Sequence, residues 1–180
     1  MKLYQPAAFA FFDVIAHESA NRSKSKYLRQ ALQKLSIAAD ALDSEVLLKY
    51  AVTKVHEDDF PAETRDMLYF RTGEVKMSEK SFLESAKFFG RVRRDSSFFY
   101  KAKYNQGLAY AEGGDTERAL LAFDDLIGST NKLPLTNATR VNALLGKARV
   151  LYQKQRWDAA IDAYQDIPRD TEQWHESVFE

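Results

Sequence analysis

A recurring spacing of small and aromatic residues constrains the fold of this chain more than any other feature. A small residue is followed after twelve positions by another small residue and after sixteen by a phenylalanine, in the sets Gly73, Ser85, Phe89 and Gly107, Ala119, Phe123. The two sets lie 34 residues apart. The run Gly113-Gly114-Asp115 lies inside the second set and is a helix stop followed by a helix start. The pattern predicts antiparallel helix pairs that approach closely at the small residues, with the aromatic side chain beside the contact.

The same spacing recurs once earlier in the chain, with less distinctive residues, and once later, after an insertion. A set 34 residues earlier consists of Ala39, Ala51 and Val55, and it is the least distinctive. A later set, Ala148, Ala160 and Tyr164, is displaced by 41 residues instead of 34. We expect the seven additional residues to lie in or near 128–134, as a longer loop or a lengthened helix start.

The second set resembles the tetratricopeptide repeat (TPR), whose pattern is L-G-x2-Y followed by A-x3-F in about 34 residues. Gly107, Tyr110, Ala119 and Phe123 occupy signature positions, whereas Lys103 and Gln106 replace the usual tryptophan and leucine of the first helix. The resemblance implies an all-α protein, a right-handed α-solenoid of TPR-like antiparallel helix pairs. The runs ALLAFDDLI and RWDAAIDAYQDIP are similar to TPR proteins of bacterial cell envelopes, which predicts a bacterial TPR-containing protein or a fragment of one.

The apolar periodicity then divides the chain. Residues 1–65 are predicted to form N-terminal helices, at about 5–20, 24–39 and 43–56, with one degenerate TPR-like unit. Residues 66–180 are predicted to hold three units, at 66–99, 100–140 and 141–170, and the start of a further or capping helix. The helix starts are expected at Ser78, at Asp115 and at either Asp95 or Ser96. Both chain ends fall near helix starts, so a segment of a longer array is expected, with a natural capping helix as the alternative.

Composition excludes several classes of function. The 180 residues carry 26 basic and 26 acidic side chains, so net charge gives no reason to bind nucleic acid. There is no cysteine, which excludes disulfides and thiolate metal sites. No apolar run approaches the roughly 20 residues that cross a bilayer, so no membrane insertion is expected. We expect a soluble protein, cytoplasmic by default because no signal peptide is visible, or periplasmic if the chain is a cut fragment.

The sequence gives little support for catalysis. The histidines His17, His56 and His175 are far apart and fall in different predicted helices. The adjacent pairs Asp58-Asp59 and Asp124-Asp125 are typical of solvated carboxylates, not of an acid–base pair. No phosphate-binding, dinucleotide-binding or nucleophile motif is present. We therefore predict no enzyme activity, no cofactor and no metal site.

The remaining candidate site is the concave face that first helices line in TPR arrays. By resemblance, its positions lie three and two residues before the signature small residue and one and four residues after it. The preceding unit then offers Phe70, Arg71, Glu74 and Met77, the middle unit Tyr104, Asn105, Leu108 and Ala111, and the last unit Leu145, Gly146, Arg149 and Tyr152. This mixed aromatic and polar surface suits an extended or helical peptide with a few anchors.

One charge asymmetry bears on the chemistry of that peptide. Six basic and no acidic residues lie between Leu126 and Trp157, whereas 158–180 contains seven acidic residues and one basic residue. Either a basic helix packs beside an acidic one and the charges offset each other, or Arg149, with Arg71 and Asn105, receives an acidic segment. The carboxylate clamp with which some TPR proteins hold chaperone tails is not matched, because only Asn105 falls at a corresponding position.

The functional prediction is a non-catalytic scaffold or adaptor that binds a peptide or helix of a partner protein in its concave groove. The alternative is structural self-association, or an envelope-assembly role, through end-to-end or convex-face contacts. The chain is expected to be a monomer or a weak homodimer.

Overall fold

The structure, a computed structural model, describes residues 3–20, 26–42, 44, 46–130, 134 and 137–177. These residues form α-helices, with one 3₁₀ turn at Glu57–Asp59 and no strand. In chain order the helices are α1 (Tyr4–Ala20), α2 (Lys26–Leu42), α3 (Val46–Val52), α4 (Arg65–Ser78), α5 (Phe82–Phe89), α6 (Phe99–Glu112), α7 (Thr116–Ser129), α8 (Ala138–Gln153), α9 (Trp157–Gln165) and α10 (Glu172–Ser177). The all-α prediction is confirmed.

The first three helices depart from their predicted bounds only at their ends. The helix predicted at 5–20 is confirmed by α1, and α2 continues three residues beyond the predicted end at 39. The predicted end of the third helix at 56 is wrong, because α3 ends at Val52. The amides of Thr53 and Lys54 bond to carbonyls three residues back, and this tighter closure ends the α-helix. The predicted helix starts at 24 and 43 lie outside the described residues.

The N-terminal helices share a core with the first of the later pairs. Ile15 of α1, Leu32 and Leu35 of α2, and Leu48 of α3 belong to one buried cluster with Leu68 of α4. This continuous apolar packing joins the N-terminal helices to α4, as neighbouring units do in a stacked array.

The close approach predicted at the small residues is confirmed in α4/α5 and α6/α7. A Cβ atom placed on Gly73 would lie 2.7 Å from the Phe89 ring, and one on Gly107 would lie 2.7 Å from the Phe123 ring. The hydroxyl of Ser85 donates a hydrogen bond of 2.8 Å to the Gly73 carbonyl, which joins α5 to the backbone of α4. Each aromatic ring therefore occupies the volume that a larger side chain would need.

Phe123 also links two successive helix pairs. Its ring lies 2.8 Å from the position of a Cβ on Gly146 of α8, so one side chain packs against α6 and α8 together. The ring is fully buried. The unit with the 41-residue displacement is thus joined to its predecessor through Gly146. Part of the predicted insertion lies outside the described residues.

The predicted helix starts were correct at one of three places. The carboxylate of Asp115 accepts a hydrogen bond of 3.2 Å from the Arg118 amide and caps α7. Ser78 is wrong, because it is the last residue of α4 and α5 starts after Ser81. Lys80, in the turn between the two helices, has a φ of 59°. Because this conformation is not helical, the next helix begins only after the turn. The start at Asp95 or Ser96 is also wrong, because Phe98 precedes α6.

We predict opposite effects of alanine at two helical glycines. Gly107→Ala should lower the free energy of unfolding by about 1–3 kcal/mol, because the new methyl group overlaps the buried Phe123 ring. Gly128→Ala, in α7, should raise it by up to about 1 kcal/mol, because alanine favours the helix and nothing lies within 4 Å of its Cβ position. Urea unfolding followed by circular dichroism measures both values.

Gly128→Ala is the control for helix propensity, since both substitutions make the same chemical change within a helix. Equal stabilisation by the two variants would show that the Phe123 ring does not constrain the distance between α6 and α7.

Candidate partner-binding surface

Helix α6 has one partly exposed side and one buried side. Tyr104, Asn105 and Leu108 are partly exposed, whereas Gln106 and Gly107 are buried. The spacing of three and four residues places the first three side chains along one stripe of the helix. The predicted middle-unit residues therefore share one face, and Ala111 continues it with partial exposure.

Helix α8 continues this face with fewer open positions. Arg149 is partly exposed and Tyr152 is exposed, but Leu145 and Gly146 are buried. The Tyr104 ring centroid lies 5.9 Å from that of Phe123, the same ring that packs on Gly146. The structure thus brings the α6 and α8 positions together around Phe123, with Gly146 as a packing residue and not as a contact for a partner.

Helix α4 carries charged groups at its predicted groove positions. Arg71 Nη1 donates a hydrogen bond of 2.8 Å to Glu74 Oε2, and Lys49 Nζ of α3 lies 3.4 Å from the same oxygen. Arg71 and Glu74 both remain partly exposed, as does Met77. The pair holds a guanidinium and a carboxylate at fixed positions on this helix.

Phe70, predicted as a groove residue, lies inside the packing. Only 4% of its surface is exposed. Its ring centroid lies 5.6 Å from that of Phe89 and 5.4 Å from that of Phe98. The guanidinium of Arg71 lies over both Phe70 and Phe98, at 5.1 and 5.7 Å from their centroids. The buried Phe70 ring therefore stabilises the position of the Arg71 guanidinium through a cation–π contact.

An aromatic pair at the end of α8 was not expected from the sequence. The Tyr152 ring packs edge-on against Trp157 of α9, with 4.9 Å between centroids. Both side chains are about half exposed. The two residues lie five positions apart, on either side of a turn in which Gln155 has a φ of 57°. Helical spacing therefore could not predict that their rings meet.

Two basic side chains in and just after α8 form ion pairs with the preceding helix α7. Lys147 Nζ lies 2.7 Å from Asp124 Oδ1, and Arg156 Nη1 lies 3.7 Å from Glu117 Oε1. Both acidic partners belong to the preceding helix α7. Among the contacts of the described residues, Lys147 and Arg156 therefore offset acidic charges on α7.

A second ion-pair cluster holds α6 and the preceding loop against α7. Asp125 accepts a hydrogen bond of 2.7 Å from Arg94 and lies 2.9 Å from Lys103 Nζ. Burial by itself would raise the pKa of Asp125, but the hydrogen bonds from Lys103 and Arg94 outweigh it and lower the pKa below 3.8. The cluster fixes the back of α6 and therefore the direction of the Tyr104 stripe.

Other kinds of site find no support in the part of the chain that the structure describes. It holds no group of three or more histidine, aspartate or glutamate side chains placed to bind a metal ion. Within those same residues, no helix has the length and apolar content needed to span a bilayer.

The stacked helix pairs define a helical repeat protein, and comparison with known proteins specifies which kind. The sequence profile described as "Tetratricopeptide repeat" matches residues 80–134 and 136–173, which together make up just over half of the chain. This chain belongs to the tetratricopeptide repeat family. A search of curated proteins finds no match.

Two solved structures are similar in fold. One is described as the crystal structure of the TPR-like repeats of a putative kinesin light chain from Podosopora anserina, at 14% identity, covering 91% of this chain and 85% of that chain with a TM-score of 0.57. The other is a single-residue variant of the same repeats, at 15% identity, 91% and 84% coverage and a TM-score of 0.57. At this identity the likeness shows the helical solenoid fold alone.

Membership of the family carries a general function. Tetratricopeptide repeats mediate protein–protein interaction and typically form non-catalytic scaffolds, so the partners are expected to be proteins.

We predict that Asp125→Asn lowers stability only above acidic pH. The lowered pKa means that the ion pairs contribute fully above pH 3.8, the usual pKa of aspartate, and that this contribution is lost as the pH falls through the lower folded-state value. Because the side chain is about one-third exposed, the loss at pH 7 should be about 0.5–1 kcal/mol. Urea unfolding at pH 7 and at low pH measures the difference.

Asp162→Asn, in the middle of α9, is the matched control, since this exposed carboxylate has no ion-pair partner among the described residues. A difference for Asp125→Asn that persists unchanged at low pH would contradict the role of the ion pairs.

Proposed function

We propose that this protein is a non-catalytic scaffold or adaptor that binds a peptide or helix of a partner protein along α4, α6 and α8. The observation that carries the proposal is the row of partly exposed side chains on successive first helices. It consists of Arg71 and Glu74 on α4, Tyr104, Asn105 and Leu108 on α6, and Arg149 and Tyr152 on α8. We call these residues the groove row. Phe70 is left out of it because it is buried.

The chemistry of the groove row suits an extended or helical segment with mixed anchors. Tyr104 and Leu108 pack at their bases on the buried cluster around Phe123, so their exposed parts form a firm apolar surface. The amide of Asn105 beside them can both donate and accept hydrogen bonds from a peptide backbone. Such a rigid aromatic and apolar centre with polar neighbours is typical of surfaces whose energy is concentrated in a few residues.

The α8 end of the row places a guanidinium near an exposed aromatic ring. Arg149 is partly exposed on the same helix as Tyr152 and three residues before it. A guanidinium beside an exposed aromatic ring recognises a carboxylate next to an apolar side chain. At the α4 end of the row, Arg71 and Lys49 share the Glu74 carboxylate.

Structural self-association is the second candidate function. Large apolar side chains are exposed at both ends of the described helices, with Phe9 and Val14 on α1 and Trp157 and Ile161 on α9. Terminal repeats of a stacked array need a polar outer face to remain unpaired, and these faces include large exposed apolar side chains.

Site-specific crosslinking tests the groove. A photoreactive phenylalanine at Asn105 should crosslink the full chain to a partner in an extract of its source cells, because this position is partly exposed at the centre of the row. The same residue at Lys87, an exposed position on α5, is the matched control and should not give that product. Mass spectrometry of the crosslinked band identifies the partner.

Arg149→Glu together with Tyr152→Ala should reduce the crosslinked product at least about tenfold, because both anchors of the α8 end are lost. Circular dichroism checks that the variant remains folded. Equal products from Asn105 and Lys87, or no loss in the double variant, would contradict binding along the groove row.

A further inference from the structure

Helices α7 and α9 occupy equivalent places in successive units, but only α7 has its outer face covered. Leu120 of α7 corresponds to Ile161 of α9 at the 41-residue displacement. Leu120 is 7% exposed and belongs to a buried cluster that includes Leu151 of α8. Lys147 of α8 pairs with Asp124 of α7, and Arg156, which precedes α9, pairs with Glu117 of α7. A basic helix on an acidic and apolar face is thus an interface that this chain already uses.

The corresponding face of α9 is open. Ile161 is 53% exposed and Trp157 is 50% exposed. Asp158, Asp162 and Asp166 are exposed along the adjacent stripe and have no ion-pair partner among the described residues. Helix α10 does not cover this face, because its Trp174 packs with Leu144, Leu145 and Ile167. We call the surface formed by Trp157, Asp158, Ile161 and Asp162 the α9 face.

The other end of the described chain carries a complementary surface. On α2, Tyr27, Lys34 and Ile37 are exposed at spacings of seven and three residues, which puts them on one side of the helix. Lys34 has no partner among the described residues. A cleft of about 420 Å³ lies between α1 and α2, and its lining includes Phe11, Val14, Ala31 and Lys34. We call this surface the α2 face.

We propose that the α9 face binds the α2 face of a second copy of this chain, head to tail. The α2 helix of the second copy covers α9 as α8 covers α7, with Lys34 facing Asp158 and Asp162 and the Trp157 ring in the apolar cleft. The wider charges agree, since residues 1–42 carry six basic and three acidic side chains and residues 158–180 carry one basic and seven acidic. Opposite charges on the two surfaces favour this pairing over others.

Symmetric pairing is disfavoured by the same charges. Two α9 faces in contact would bring unpaired aspartates together, and two α2 faces would oppose one Lys34 with another. A head-to-tail contact leaves one free face of each kind on every pair, so further copies can add to the assembly. The two surfaces share no residue with the groove row, but Trp157 of the α9 face contacts Tyr152 at its α8 end.

A charge-exchange experiment on the full chain tests the proposal. Sedimentation velocity from about 10 μM to about 1 mM, the range in which small interfaces dissociate, should show a mass that rises with concentration for the unmodified chain. Lys34→Glu alone, and Asp158→Lys with Asp162→Lys alone, should each reduce the association constant at least about tenfold. Mixing the two variants should restore association, because each altered face then meets an altered face of opposite charge.

Matched substitutions at two exposed apolar residues locate the contact. Ile161→Asp on α9 should abolish association, whereas Leu121→Asp on α7, which replaces a side chain that is at least as open to solvent, should leave it unchanged. Circular dichroism confirms that each variant is folded, so a loss of association is not a loss of structure.

Several results would overturn the proposal. They are a chain that stays monomeric throughout, Lys34→Glu associating as well as the unmodified chain, a mixture that fails to recover, or equal losses at Ile161 and Leu121. A monomeric chain whose Ile161 contacts a different protein would also replace the second copy as the occupant. Crosslinking from Asn105 tests the groove independently, since neither Lys34 nor the α9 aspartates belong to it.

Discussion

The contact on which the rest of the array depends is the packing of Phe123 between two glycines. Its ring fills the space above Gly107 in its own helix pair and above Gly146 in the next, at distances that leave no room for a Cβ atom. Interiors are close-packed, so this ring sets the separation of α6, α7 and α8 together. The Tyr104 ring rests on the same phenylalanine, and the exposed groove row therefore inherits its geometry from a buried residue.

Polar contacts then fix how successive units are rotated against each other. Asp66 at the start of α4 accepts hydrogen bonds from the backbone and guanidinium of Arg93, and Gln106 of α6 donates to the Ala86 carbonyl of α5. Lys147 attaches α8 to α7, and Arg156 attaches the start of α9 to α7. Each contact joins neighbours only, which is how a repeat array is stabilised. Large apolar side chains remain exposed on α1 and α9, among them Phe9 and Ile161.

Much of the fold could be predicted because its determinants are local and periodic. The spacing of Gly73, Ser85 and Phe89 is a property of helix geometry, and the structure places Phe89 and Ser85 against Gly73 as that spacing requires. The cap at Asp115 followed from its neighbours along the chain. The helix start at Ser78 did not, because a backbone turn at Lys80 with positive φ gives little signal in the sequence. The division into units remains a prediction, as does the choice of groove residues.

The sequence by itself determined the helix pairs, the small-residue contacts and the family, because a 34-residue period leaves few ways to bury its apolar positions. Only the tertiary structure decided which side chains of the first helices remain accessible. Phe70 and Leu145 hold groove positions in the repeat but are buried, since neighbouring helices cover them. It also decided that Lys147 of α8 pairs with Asp124 of α7, while the aspartates of α9 have no ion-pair partner among the described residues. Such pairings depend on distances between helices, which periodicity along one helix does not contain.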